Sequence, residues 1–123
     1  MRVLIAEDSP LMRRLVVDAV ASAGCEVIGE VANGSAAVAA ASLLQPDVVV
    51  MDWDMPGMDG VAATAAVRAE HRDIQVVACS AAPGDPVRRQ FLAAGACAYF
   101  EKADITGLTA HLRRMAGPSE PKH

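Results

Sequence analysis

Aromatic side chains are almost missing from this sequence: Trp53, Tyr99, Phe91 and Phe100 are all it has in 123 residues. An interior without large rings must be filled by the Ala, Val, Leu and Met that dominate its 53% hydrophobic content. Such a composition suits helices laid on a Val-rich sheet. Cysteine is scarce as well. Cys25, Cys79 and Cys97 are odd in number and lack C-x-x-C spacing, which argues against a disulfide framework or a structural zinc site. All three are expected to be small buried apolar residues. Basic clusters are missing too: the net charge is -4, and the arginines fall in scattered pairs such as Arg13 and Arg14, Arg88 and Arg89, and Arg113 and Arg114. Direct nucleic-acid binding by this chain is therefore not expected. There is no long apolar run and no signal-peptide pattern after Met1, so no membrane association is expected and a cytoplasmic location is. The length suits one domain with one core.

What is present is alternation. Val3–Ala6, Val27–Val31, Val48–Met51, Ile74–Cys79 and Ala96–Phe100 read as strands, each followed by a longer stretch of helical pattern. Strands alternating with helices predict a parallel α/β sheet. Ser9-Pro10 offers an N-cap and a first-turn proline, after which Leu11, Leu15 and Ala19 recur on one face until Gly24. Further helices are expected near Ser35–Leu44, Gly60–Glu70, Pro86–Ala94 and Ile105–Met115. Val48-Val49-Val50, without polar alternation, reads as a central strand covered on both faces. Residues 1–116 form the expected domain. Residues 117–123 read as a flexible tail or the start of a linker.

In an open parallel sheet, ligands gather at the carboxyl ends of the strands. Glu7 and Asp8 follow the first strand, Asp52 and Asp54 the third, Ser80 the fourth and Lys102 the fifth. Glu7, Asp8 and Asp52 would bring three carboxylates together, and a pair about 4 Å apart repels by about 4 kcal/mol at an effective dielectric near 20. A divalent cation relieves that repulsion, and oxygen donors without nearby His or Cys select Mg²⁺. A carboxylate beside such an ion can act as a nucleophile on phosphorus, giving an aspartyl phosphate. Lys102 is placed to neutralise a phosphoryl oxygen and Ser80 to donate a hydrogen bond to it.

The segments VLIAEDS at 3–9, VVVMDWDMPGMDG at 48–60, VVACSA at 76–81 and GACAYFEK at 95–102 are together similar to the receiver domain of bacterial two-component response regulators. The resemblance spans nearly the whole chain. It implies a doubly wound, flavodoxin-like sheet of five parallel strands in the order 2-1-3-4-5 with five helices. It implies that Asp52 is the phosphoacceptor, that Asp8 ligates the metal directly and Glu7 largely through water, and that the Asp54 carbonyl is a further ligand. Ser80 and Lys102 match the family's hydroxyl and lysine, and Tyr99 its aromatic switch, which turns inward on phosphorylation. Asp54 and Ala82 match positions that flank the water attacking the phosphoryl group.

The implied donor is a sensor histidine kinase or a histidine phosphotransfer protein. The implied recipient is a downstream protein target or output domain, with phosphorylation-dependent homodimerisation as one output. The chain is then a phosphorelay switch and no turnover enzyme. Where the family usually has proline, often after a cis bond, this chain has Ala103, for which trans is expected. Its first acid is Glu7 where Asp is commoner.

Several polar residues have plainer explanations. Asp59 and Ser9 sit where N-caps belong, and Asp47 serves the turn into the third strand. Met51, Met55 and Met58 read as core filler. His71 and His111 are expected to face solvent, and Trp53 should report on the site by fluorescence. Two alternatives remain open: a haloacid-dehalogenase-like phosphohydrolase using the D-x-D pair Asp52 and Asp54, and an interaction domain that works without phosphorylation. The early Glu7-Asp8 pair and the short chain speak against the first.

Overall fold

The computed structural model describes residues 1–81 and 85–117. Strands and helices alternate throughout: β1 Arg2–Ala6, α1 Pro10–Ser22, β2 Glu26–Val31, α2 Gly34–Leu44, β3 Val48–Met51, α3 Gly60–Glu70, β4 Gln75–Ser80, α4 Asp85–Ala94, β5 Ala98–Glu101 and α5 Ile105–Ala116. The strands form one parallel sheet in the order β2-β1-β3-β4-β5, as expected for the flavodoxin-like topology. Pairing of Ala6 with Met51, and of Met51 with Ala78, brings the carboxyl ends of the three central strands level.

Alternation along each strand divides the core in two. Leu4, Ala6, Val49, Met51, Val76 and Ala78 face α2, α3 and α4, where Ala37, Ala41, Ala63, Val67 and Phe91 complete the packing. Val3, Ile5, Val48, Val50, Val77 and Cys79 face α1 and α5, against Val16, Val20, Leu108 and Leu112. All four β3 residues are buried, because helices cover both faces of that strand.

Short side chains start the helices. Ser9 Oγ accepts from the Met12 N–H at 3.4 Å, Asn33 Oδ1 from Ala36 at 2.8 Å, and Asp59 Oδ1 from Ala62 at 2.8 Å. Asp59 and Ser9 are thus caps. At the other end of α2, Arg2 donates to the carbonyls of Gln45 (2.6 Å) and Leu44 (2.7 Å), satisfying acceptors that a helix terminus leaves open. Asp47 serves its turn by accepting the Arg2 N–H at 2.8 Å.

Four local expectations need correction. The inner face of α1 is Val16, Ala19 and Val20, continued by the buried C-cap Ala23, while Leu11 is 73% exposed and Leu15 43%. The three-residue link from β1 and the Ser9 cap set the rotation of α1 about its axis, which brings the slimmer valines onto Val3 and Ile5. Cys97 is exposed, since it precedes β5 at the sheet margin; Cys25 and Cys79 are buried. His71 is half-buried at the end of α3, its Nε2 3.0 Å from Ser42 Oγ on α2. His111 is also half-buried, because α5 lies on β5 and puts its ring 5.4 Å from Phe100.

Candidate functional site

Backbone pairing assembles the site. The N–H of Glu7 donates to the Val31 carbonyl at 2.9 Å, that of Asp52 to Ala6 at 3.0 Å, and that of Lys102 to Ser80 at 2.9 Å. Each bond extends a parallel ladder just beyond a strand end, so side chains remote in sequence emerge beside one another. One oxygen from each of Glu7, Asp8 and Asp52 lies within 4.8 Å of the other two. Asp8, Asp52, Trp53, Asp54, Ser80 and Lys102 line a cleft of about 390 Å³ around them. A larger cleft of about 530 Å³ lies at the end of α5, where its lining among the described residues is Ala110, Arg113, Arg114 and Gly117.

Within the cleft, Glu7 and Asp52 are each 2% exposed, whereas Asp8 and Asp54 face solvent. Lys102 Nζ lies 2.7 Å from Glu7 Oε1 and 3.3 Å from Asp52 Oδ2. The other Glu7 oxygen accepts the Ser9 N–H at 3.0 Å, and Asp52 Oδ1 accepts the Trp53 N–H at 2.8 Å. Asp52 Oδ2, fully buried, has an ion-pair contact with Lys102 but no hydrogen-bond partner among the described residues. Burial, reinforced by the Glu7 carboxylate and opposed by Lys102, pushes the Asp52 carboxyl up to about 7. For Lys102, burial favours the neutral amine, but Glu7 and Asp52 outweigh it and raise the ammonium above its ordinary value. Burial pushes the neighbouring Cys79 thiol up to about 12, which favours the neutral thiol over the nucleophilic thiolate.

The loop carrying Asp52 is held by two close approaches. A Cβ at Gly60 would overlap the Asp52 carbonyl oxygen, and one at Gly34 the Met58 carbonyl oxygen. Only glycine admits this packing, which sets residues 52–59 against the first turns of α2 and α3. Gly60 also donates its N–H to the Trp53 carbonyl at 2.9 Å.

The structure therefore brings Glu7, Asp8, Asp52, Ser80 and Lys102 together, with Asp54 on the rim. Tyr99 lies outside this cleft, half-buried, its ring 6.0 Å from Phe91, and borders a third cleft with Arg88 and Glu101. Burial raises its hydroxyl pKa, against a hydrogen bond with Ser80. The Lys102–Ala103 bond is trans. Ala82 lies outside the described residues.

Sequence reasoning missed three features. Glu7 contacts Lys102 directly, which its extra methylene permits. Gly34, which opens α2 one residue before the expected helix Ser35–Leu44, carries no sequence signal of its close approach to Met58. Arg13 donates to the Glu7 carbonyl at 3.0 Å, and its only sequence signal is a positive charge in a helix's first turn, where the dipole disfavours it.

Comparison with known proteins agrees with this geometry. Residues 3–113 match the response regulator receiver domain family. The response regulator GacA of Pseudomonas viridiflava is 38% identical over 102 residues, covering 82% of this chain and 48% of that protein. The chain thus spans about half the length of that relative. The chemotaxis protein CheY of Thermotoga maritima is 36% identical over 101 residues, covering 82% of this chain and 84% of that protein. The receiver domain of the sensor histidine kinase PA1611 from Pseudomonas aeruginosa PAO1, solved with a magnesium ion coordinated in its active site cleft, superimposes with a TM-score of 0.82. It is 30% identical, with 95% of this chain and 98% of that one covered. With its sheet order, its acidic cleft and a match over residues 3–113, this chain belongs to the receiver domain family of two-component response regulators.

Proposed function

We propose that Asp52 is the phosphoacceptor of this receiver domain and that phosphorylation there switches the face formed by α4, β5 and α5. The observation that carries this is the buried Asp52 Oδ2, without a hydrogen-bond partner among the described residues, beside two further carboxylates and Lys102. An unsatisfied buried oxygen in a cluster of hard donors without His or Cys fits Mg²⁺. Glu7, Asp8, Asp52 and the Asp54 carbonyl would hold it. When bound, the ion would neutralise phosphoryl oxygens and favour the ionised form of Asp52.

Asp52 attacks phosphorus, forming a carboxylate O–P bond as the donor's P–N or P–O bond breaks, and the leaving imidazole or carboxylate keeps that electron pair. Lys102, already 3.3 Å from Asp52, counters charge on the phosphoryl oxygens, and Ser80 donates to one of them. Pulling Ser80 toward Asp52 changes its contact with Tyr99, whose inward turn carries the signal to α4 and β5. Asp54, and Ala82 by its place in the chain, tune the lifetime of the phosphoryl group.

The donor is a histidine kinase or a histidine phosphotransfer protein. The recipient is a protein target or an output domain, reached through contacts that include homodimerisation. The chain works in the cytoplasm without binding nucleic acid itself; among the described residues no helix is long and apolar enough to cross a membrane. Residues 1–116 act as the domain; the proposed tail at 117–123 lies, beyond Gly117, outside the described residues. The phosphohydrolase alternative is not retained, since the matched family is that of receivers.

Intact-mass measurement with acetyl phosphate and Mg²⁺ tests the assignment. The wild type gains one phosphoryl group and Asp52→Asn gains none. Equal incorporation in both moves the acceptor elsewhere, and none in either favours the phosphorylation-independent reading.

A further inference from the structure

The acidic pair at the end of β1 is gripped from behind. Arg13 Nη1 donates to the Glu7 main-chain carbonyl at 3.0 Å, while its Nε lies 3.5 Å from Glu30 Oε1 on β2. That carbonyl belongs to the peptide unit joining Glu7 to Asp8, so the guanidinium fixes the plane from which Asp8 departs. The Asp8 side chain has no anchor of its own: its carboxylate makes no hydrogen bond or ion pair among the described residues, and it is exposed. Glu7 needs less help, being held by Lys102, Ser9 and Val31. The adjacent Arg14 makes only an exposed contact with Asp18 at 3.7 Å, with the two side chains 79% and 65% exposed, against 26% for Arg13. Two neighbouring arginines on one helix thus do different work.

We infer that Arg13 is a positioning residue for divalent-cation binding, braced by Glu30 and orienting Asp8 through the Glu7–Asp8 peptide; this rests on the metal site proposed above. The sign of the effect separates positioning from charge. A cation near three carboxylates competes with Mg²⁺, so if Arg13 acted through charge alone, removing it would tighten metal binding. If it positions Asp8, removing it weakens binding, as loss of groups that orient ligands does elsewhere.

Isothermal titration of Mg²⁺ into the full chain compares wild type, Arg13→Gln and Arg14→Gln. The expected result is about tenfold weaker binding in Arg13→Gln, with Arg14→Gln unchanged or slightly tighter. A variant that merely unfolds in part loses stoichiometry, whereas loss of positioning lowers affinity at full stoichiometry. The Asp8 amide resonance of the metal-free protein should also move in Arg13→Gln and stay in place in Arg14→Gln. Unchanged or tighter Mg²⁺ binding in Arg13→Gln overturns the inference and leaves the proposed function standing. A wild type that binds no Mg²⁺ overturns the metal site, and this inference with it.

Discussion

Asp52 is the residue whose chemistry depends most on its surroundings. The same side chain in solvent would be an ordinary carboxylate; at 2% exposure beside Glu7 it is pushed up to about 7. Glu7 differs in kind: both its oxygens are engaged, one by Lys102 and the other by the Ser9 N–H. Direct pairing with the lysine is therefore part of what Glu7 does. Away from the site, His111 tests the same physics with the opposite sign. Burial, helped by Arg114, lowers its pKa, so the folded protein favours neutral imidazole. The unfolded chain takes up that proton near pH 6.5, whereas the folded chain does so only at lower pH. Stability from this group is therefore present above 6.5 and lost as pH falls through the folded value. Urea midpoints compared at about pH 7.5 and about pH 5 should show wild type losing more stability than His111→Gln as pH falls. Parallel losses would mean that the imidazole is not held neutral.

At the scale of elements, α1 shows how a pattern can find a helix and still misjudge its orientation. Ser9-Pro10 marks its start, but the Leu11, Leu15 and Ala19 row runs along the edge of the buried stripe, with only Ala19 inside. Leucines attract attention because they are large; Val16 and Val20 win because the close approach of helix to sheet suits short branched side chains. Val16→Ala should lower unfolding stability by about 2 kcal/mol, through lost burial and the space left behind. Leu11→Ala should change it by less than about 0.5 kcal/mol. Chemical denaturation measures both, and the reverse ranking would place the inner face of α1 elsewhere.

For the whole molecule, the clustered carboxylates of Glu7, Asp8 and Asp52 are a local cost that a bound ion would relieve. Anything that binds only the folded state raises stability by RT ln(1 + [L]/Kd), about 2.7 kcal/mol at a hundredfold excess over Kd. Mg²⁺ should accordingly raise the melting temperature in a saturable way, and Asp8→Ala should blunt the shift. Differential scanning calorimetry with and without the ion reads this directly, and a full shift in Asp8→Ala would put the ion at another site.

The amino-acid sequence by itself determined the alternation of strands and helices, the caps at Ser9 and Asp59, and the placing of acids, Ser80 and Lys102 at the strand ends. Those are local properties, set by side-chain periodicity and by which residues satisfy the open ends of helices. Tertiary structure alone decided that Glu7 reaches Lys102, that Gly34 and Gly60 give room to the loop carrying Asp52, and that Arg13 rather than Arg14 turns toward the site. It also decided that His111 lies against Phe100 and that Cys97 is exposed. These contacts depend on distances between chain segments far apart in sequence, and no periodicity encodes a distance until the sheet has fixed the register of its strands.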